Sequence, residues 1–221
     1  MPIKEYGTRT FIEDALALPP EQGKGIRFGT FERGDNARFG WRDITSEISV
    51  RGTGSTDPDW ARIGSTGPFY AYKFAVNDVC WMAFHIPHDI LPGSAIHFHA
   101  HWTSDGTNAA VVKWQWQYAY AKGFNQSVFD VDLAESPQTN AGTITAQEAA
   151  SGVAYRHMVT ESIAVTLPGL TEPDGIVYCA IKRITNGAVN NTDGIFLLTS
   201  DIHYQTTNVA TINKAPDFYA E

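Results

Sequence analysis

The side chains best placed to do chemistry are three histidines in His97-Phe98-His99-Ala100-His101. On a strand, residues i and i+2 point the same way about 6.5–7 Å apart, so an alternating pair can chelate a metal. The outer two would stand roughly 13 Å apart on an extended strand, so at most two of the three can share an ion. A third ligand must come from elsewhere, from His85, His88, His203 or Asp201. Metalloenzymes of the cupin type need a glutamate soon after such a pair, and Thr103, Ser104 and Asp105 follow here. The expectation is therefore a structural or subunit-facing histidine row, with no metal and no other cofactor.

Other candidates have plainer readings. His85-Ile86-Pro87-His88-Asp89 contains an adjacent His–Asp pair, which more often makes a turn than a catalytic dyad. No Gly-x-Ser-x-Gly elbow is present. Asp130, Asp132 and Glu135 invite a hydrolase reading but sit in a polar, loop-like stretch. Gly23-Lys24-Gly25 lacks the rest of a phosphate-binding loop. Trp41, Trp60, Trp81 and Trp102 could form a sugar platform, although alternating aromatics usually belong to a core. Cys80 and Cys179 lie in apolar runs and read as buried thiols, not as a disulfide framework. No catalytic residue is assigned, and the chain is expected not to be an enzyme.

These residues need strands to hold them. Runs at 69–76, 79–86, 95–103, 109–121, 153–166, 175–184 and 194–205 carry strand signals. They are punctuated by Asn77-Asp78, Pro92-Gly93, Asp105-Gly106, Pro168-Gly169, Asp174-Gly175, Asn186-Gly187 and Asp193-Gly194. No helix-period segment of ordinary length separates them, which argues against a parallel βαβ sheet and favours an all-β, jelly-roll-like antiparallel sandwich. Residues 122–151 read as a long loop with a short helix at 145–150. The only other helix-like piece is Phe11–Leu18, about two turns long.

In the 95–103 run Ile96, Phe98, Ala100 and Trp102 share a face, and the histidines share the other. In the next run Val112, Trp114, Trp116, Tyr118 and Tyr120 oppose Lys113, Gln115 and Gln117. A hairpin turning near Asp105-Gly106 would pair 102 with 110 and 98 with 114. That would set His97, His99 and His101 beside Lys113 and Gln115 on one polar outer or oligomer-facing side.

The 221-residue chain is 43% hydrophobic, with a net charge of −8, so a sizeable core is possible. The acidity and the lack of a basic cluster argue against nucleic acid and against anionic membranes. No signal core and no stretch of ~18 apolar residues appears, so synthesis in the cytosol is expected. Residues 1–40 carry six basic and six acidic residues, are glycine-rich and lack sustained periodicity. The chain divides on this reading into an extended arm (1–50), a linker (51–67), a sandwich (68–206) and a C-terminal tail (207–221).

Several short motifs then become familiar together: Gly40-Trp41-Arg42-Asp43-Ile44, Asp57-Pro58-x-Trp60, Phe84-His85-Ile86-Pro87-His88-Asp89, Pro92-Gly93, His97-x-His99-x-His101-Trp102 and Asp201-Ile202-His203-Tyr204-Gln205. The pattern, spanning about 40–205, resembles a family of tailed-bacteriophage virion proteins encoded near head genes. The chain departs from it after Gln205. The resemblance implies a jelly-roll-like sandwich on the outer capsid surface. It would decorate or cement the head as a homotrimer and bind the major capsid protein. The arm would anchor it through Phe11, Ile12, Leu16, Leu18, Phe28, Phe31 and Phe39. The alternatives are a carbohydrate-binding head fibre or adhesin, with a glycan as partner, and a metal-dependent jelly-roll enzyme.

Overall fold

The computed structural model describes residues 3–6, 9–12, 40–52, 55–132, 140–187, 189–207 and 214. The chain forms two compact units, Met1–Arg38 and Phe39–Glu221. In the first, β1 (Ile3–Tyr6) and β2 (Arg9–Ile12) pair as an antiparallel hairpin. Phe11 and Ile12 thus lie on strand backbone, where a helix was expected. Leu16, Leu18, Phe28, Phe31 and Phe39 lie outside the described residues, as does Gly23-Lys24-Gly25.

The second unit contains β3 (Gly40–Thr45), β4 (Asp59–Arg62), β5 (Tyr70–Phe74), β6 (Val79–His85), β7 (Ile96–Ser104) and β8 (Val111–Ala121). These are followed by β9 (Ala141–Ala149), β10 (Met158–Glu161), β11 (Ile176–Ile184) and β12 (Ile195–Thr206). No helix occurs among the described residues, and so none is long and apolar enough to cross a membrane. One sheet runs β10-β7-β12-β5-β4, with β3 also on β12; the other runs β6-β11-β8-β9. Every pairing is antiparallel.

The eight strands β5–β12 pair first with last, second with seventh, third with sixth and fourth with fifth. That is one long hairpin rolled onto itself into two sheets, a jelly roll. The fold expected from the sequence is therefore present.

The core lies between the sheets. β7 contributes Ile96, Phe98, Ala100 and Trp102, and β8 contributes Val112, Trp114, Trp116 and Tyr120. Both aromatic rows face inward as their period of two requires. They meet across the sandwich, with Phe98 stacked 6.1 Å from Trp116, and do not sit side by side. The 95–121 hairpin does not form, because β7 and β8 belong to different sheets. Trp102 pairs with Leu197 and Met158, and Trp114 with Arg183 and Ala146. Alternation fixes the face of a strand but not its neighbour. At one end of the sandwich the Arg183 guanidinium donates to the carbonyls of Phe74 (2.7 Å) and Asn191 (2.5 Å).

Two further expectations change. Residues 141–149 are a nine-residue strand, not loop and helix. Residues 40–62 supply β3 and β4 to the larger sheet, so the boundary of the sandwich falls near Phe39 and not at 68.

Candidate functional site

The outer face of the larger sheet collects imidazoles and carboxylates. Residues opposite one another in adjacent strands share a face, so the register writes the site directly. One row crosses the sheet as Glu161–His99–Asp201–Thr45, and the next as His97–His203–Asp43. His101 stands opposite Val159 and Thr199.

His99 is buried, and both its ring nitrogens face carboxylates. Nε2 lies 3.0 Å from Glu161 Oε2, and Nδ1 lies 3.4 Å from Asp201 Oδ1. Its carbonyl accepts a hydrogen bond from Ser200 Oγ, which fixes the backbone. Burial and the neighbouring His203 lower the His99 pKa, with Asp201 and Glu161 pulling the other way. The pKa of His101 is raised, chiefly by the Asp201 carboxylate 2.9 Å from its Nε2, and burial opposes this. Nδ1 of His101 is 2.9 Å from His157 Nε2. His97 Nδ1 donates to the Ser162 carbonyl (3.1 Å), and the Trp41 ring meets His97 edge-on. His203 pairs with Asp43.

Of the four residues weighed as a third ligand, His203 and Asp201 join the row. His85 and His88 instead face Asp174, each at 3.1 Å. Lys113 and Gln115 do not flank the histidines. They belong to β8, whose partners are β9 and β11, and so to the other sheet. Glu161, Asp43 and His157 complete the patch. Asp43 lay within a noted motif; Glu161 and His157 carried no sequence signal without the register of β7 with β10.

Asp89 is a clasp, not half of a dyad. It accepts from Tyr204 Oη (2.9 Å) and Thr206 Oγ1 (2.9 Å) and pairs with Arg42 at 2.5 Å. The Thr207 amide donates to its carbonyl. The scattered motifs therefore converge at one edge of one sheet, joining β3, the Pro87–Asp89 turn and β12.

The tryptophans separate. Trp102 is core, and Trp81 lies under the Arg51 guanidinium. Trp60 is 62% exposed and stacks on Tyr70, with ring centroids 6.2 Å apart. Trp60 is opposite Tyr72, Tyr72 opposite Leu197, and Leu197 opposite the core Trp102. This shelf is thus the core face prolonged beyond the sandwich edge. It borders a cleft of about 410 Å³, whose polar lining is Ser46, Glu47, Tyr70 and Thr199. Asp132 is exposed and Asp130 half-buried, while Glu135 lies outside the described residues.

Comparison with known proteins finds no matching family model and no matching curated protein. Among solved structures, the chain is similar to "xylan-binding module CBM15", at 10% identity and TM-score 0.36, covering 76% of this chain and 97% of that one. It is also similar to TmCBM61 in complex with beta-1,4-galactotriose (9%, 0.24, 74% and 86%) and to Eiger TNF from S. frugiperda (7%, 0.26, 78% and 97%). The jelly-roll assignment rests on the strand pairing itself, and no site is carried over from these proteins.

Proposed function

We propose that the chain is a bacteriophage capsid decoration protein, which binds the major capsid protein and stabilises the head. The observation that carries this reading is the outer face of the four-stranded sheet. There Tyr178 is flanked by Ala83 and Ala119, and Ala180 by Trp81 and Gln117. Val131, 73% exposed, stands beside them. No strand residue at the centre of this face is charged; the nearest cation is the Arg51 guanidinium over Trp81. A largely apolar surface of this kind is costly to leave in water and suits a protein partner. The motif resemblance supports the same reading. The Met1–Arg38 unit would add the anchor, and the protein would act as a homotrimer, with many copies per shell adding avidity.

Co-sedimentation with empty capsids built from the cognate major capsid protein tests this. Tyr178→Lys should cut occupancy at least tenfold, since burying an unpaired charge opposes docking, while melting stays near wild type. Unchanged occupancy would overturn the reading. Light scattering should give a trimer, and a monomer at high micromolar concentration would count against that assembly.

The Trp60–Tyr70 shelf favours a second reading, glycan binding by a head fibre or adhesin. Aromatic faces stack on sugar rings, and the polar groups lining the cleft supply hydrogen bonds. A glycan array showing binding that Trp60→Ala abolishes would favour this reading over the first.

A further inference from the structure

We propose that His99, His101 and Asp201 form a binding site for one divalent transition-metal ion of the zinc class. The inference is independent of the decoration reading and rests on the geometry of this cluster and on the unpartnered acceptors within it.

His99 Nε2 faces the carboxylate of Glu161 at 3.0 Å, and a carboxylate only accepts. The Nε2 proton is therefore committed to Glu161. A neutral imidazole has one N–H, so His99 Nδ1 presents a lone pair, and it does so 3.4 Å from Asp201 Oδ1. His101 offers its Nε2 to the same carboxylate, as a lone pair when its proton sits on Nδ1 and is accepted by His157. Its Nδ1 is engaged with His157 Nε2 at 2.9 Å, and its Nε2 lies 2.9 Å from Asp201 Oδ2 without an aligned hydrogen bond. Asp201 is 5% exposed, and its Oδ1 has no hydrogen-bond partner at all. The His99 Nδ1 lone pair and the unpartnered Asp201 Oδ1 thus face each other in a nearly dry place, with His101 Nε2 beside them. Such a buried acceptor cluster is costly unless a cation or an added proton sits inside it.

The spacing fits a metal. Bonds of ~2.0–2.1 Å at tetrahedral angles put neighbouring ligand atoms ~3.3 Å apart. The measured separations are 3.4 Å for the His99–Asp201 pair and 2.9 Å for the His101–Asp201 pair. The donor atoms of all three residues lie within 4.8 Å of one another. Two imidazoles and one carboxylate are a borderline donor set that suits zinc-like ions over calcium or magnesium. Each histidine also carries the outer partner that metal-bound histidines use to fix their tautomer: Glu161 for His99 and His157 for His101. His101, at 22% side-chain exposure, borders solvent and leaves a route for the ion and for a fourth ligand. Since His99 and His101 come from β7 and Asp201 from β12, the ion would bridge two central strands of the larger sheet.

The test is calorimetric titration of the chelator-treated full chain with Zn2+, followed by the visible spectrum of the Co2+ form. About one equivalent should bind with micromolar or tighter affinity, and Co2+ should give the intense absorption of a tetrahedral nitrogen–oxygen site. Glu161→Gln should weaken binding by the ~10–100-fold usual for loss of an outer partner. His101→Ala and Asp201→Asn should weaken it more. His85→Gln, on the other sheet, should leave it unchanged. Melting curves check folding, and half-exposed Glu161 and the solvent-bordering His101 keep the test open if Asp201→Asn fails to fold. No binding of Zn2+, wild-type affinity in His101→Ala, or equal loss in His85→Gln would each overturn the proposal. The cluster would then be a protonated His101 paired with Asp201.

Discussion

At the residue scale, Asp89 shows how much one carboxylate can organise. It holds Tyr204, Thr206 and Arg42 at once, and so ties β12 to the turn before β7 and to β3. Burial and the bond to Asp89 push the Tyr204 pKa up to about 12. An unfolded tyrosine ionises near pH ~10, so above that pH the unfolded chain sheds a proton that the native chain keeps. The stability contributed by the neutral phenol is complete below ~10 and is lost as pH rises through about 12. Tyr204→Phe should cost about 1–2 kcal/mol at neutral pH and flatten the fall in melting temperature between pH ~10 and 12. A mutant as alkali-sensitive as wild type would show that the clasp does not govern that range. The histidine row was legible as a row, because a period of two is written in the residues themselves. Its companions were not, because Glu161 and Asp43 reach it through strand neighbours 62 and 160 positions away in the chain.

Elements were read well where one face is fully buried. β6 and β11 alternate strictly, β12 does so only at its C-terminal end, and the sequence bounds of all three differ from the observed ones by a residue or so. β9 is hidden in the sequence for a physical reason. It is an edge strand with Thr143, Thr145 and Gln147 outward, and only Ile144 and Ala146 among its central residues pack partly against the core. A weakly amphipathic edge strand resembles a polar loop by composition. β3 escaped for the same reason, since most of it is exposed. The turn after β8 offers a sharp test of element junctions. A Cβ on Gly123 would stand 2.5 Å from the Asp174 carbonyl oxygen, which is backbone and cannot swing aside. Gly123→Ala should therefore destabilise by about 1–3 kcal/mol, read from denaturant midpoints. A change under half of that would mean the junction yields more easily than its packing suggests.

For the molecule as a whole, the sandwich boundary predicts which truncations survive. Removing residues 1–38 takes away only the first compact unit and leaves every strand of the second. The shortened protein should melt within a few degrees of the full chain. Removing 1–50 also takes β3, which covers one edge of β12 over Asp201–Thr206, along with Arg42 and Asp43. That protein should melt markedly lower or aggregate, because an uncovered strand edge invites pairing with other chains. Equal stability of the two truncations would put β3 outside the folding unit. The division expected from composition at residue 50 followed glycine content. The true boundary follows hydrogen bonding, which composition does not report.

Because β12 lies between β7 on one side and β5 and β3 on the other, the larger sheet has no centre until β12 exists. During synthesis the ribosome releases β3, β4, β5, β7 and β10 long before the strand that joins them. β4 can pair with β5 and β7 with β10, but the edges that face β12 must wait open, exposed to proteases and to other strands. Closure comes late and over long loops, which is slow. The Asp89 clasp and the histidine patch each draw residues from β12, so neither can assemble on an unfinished chain.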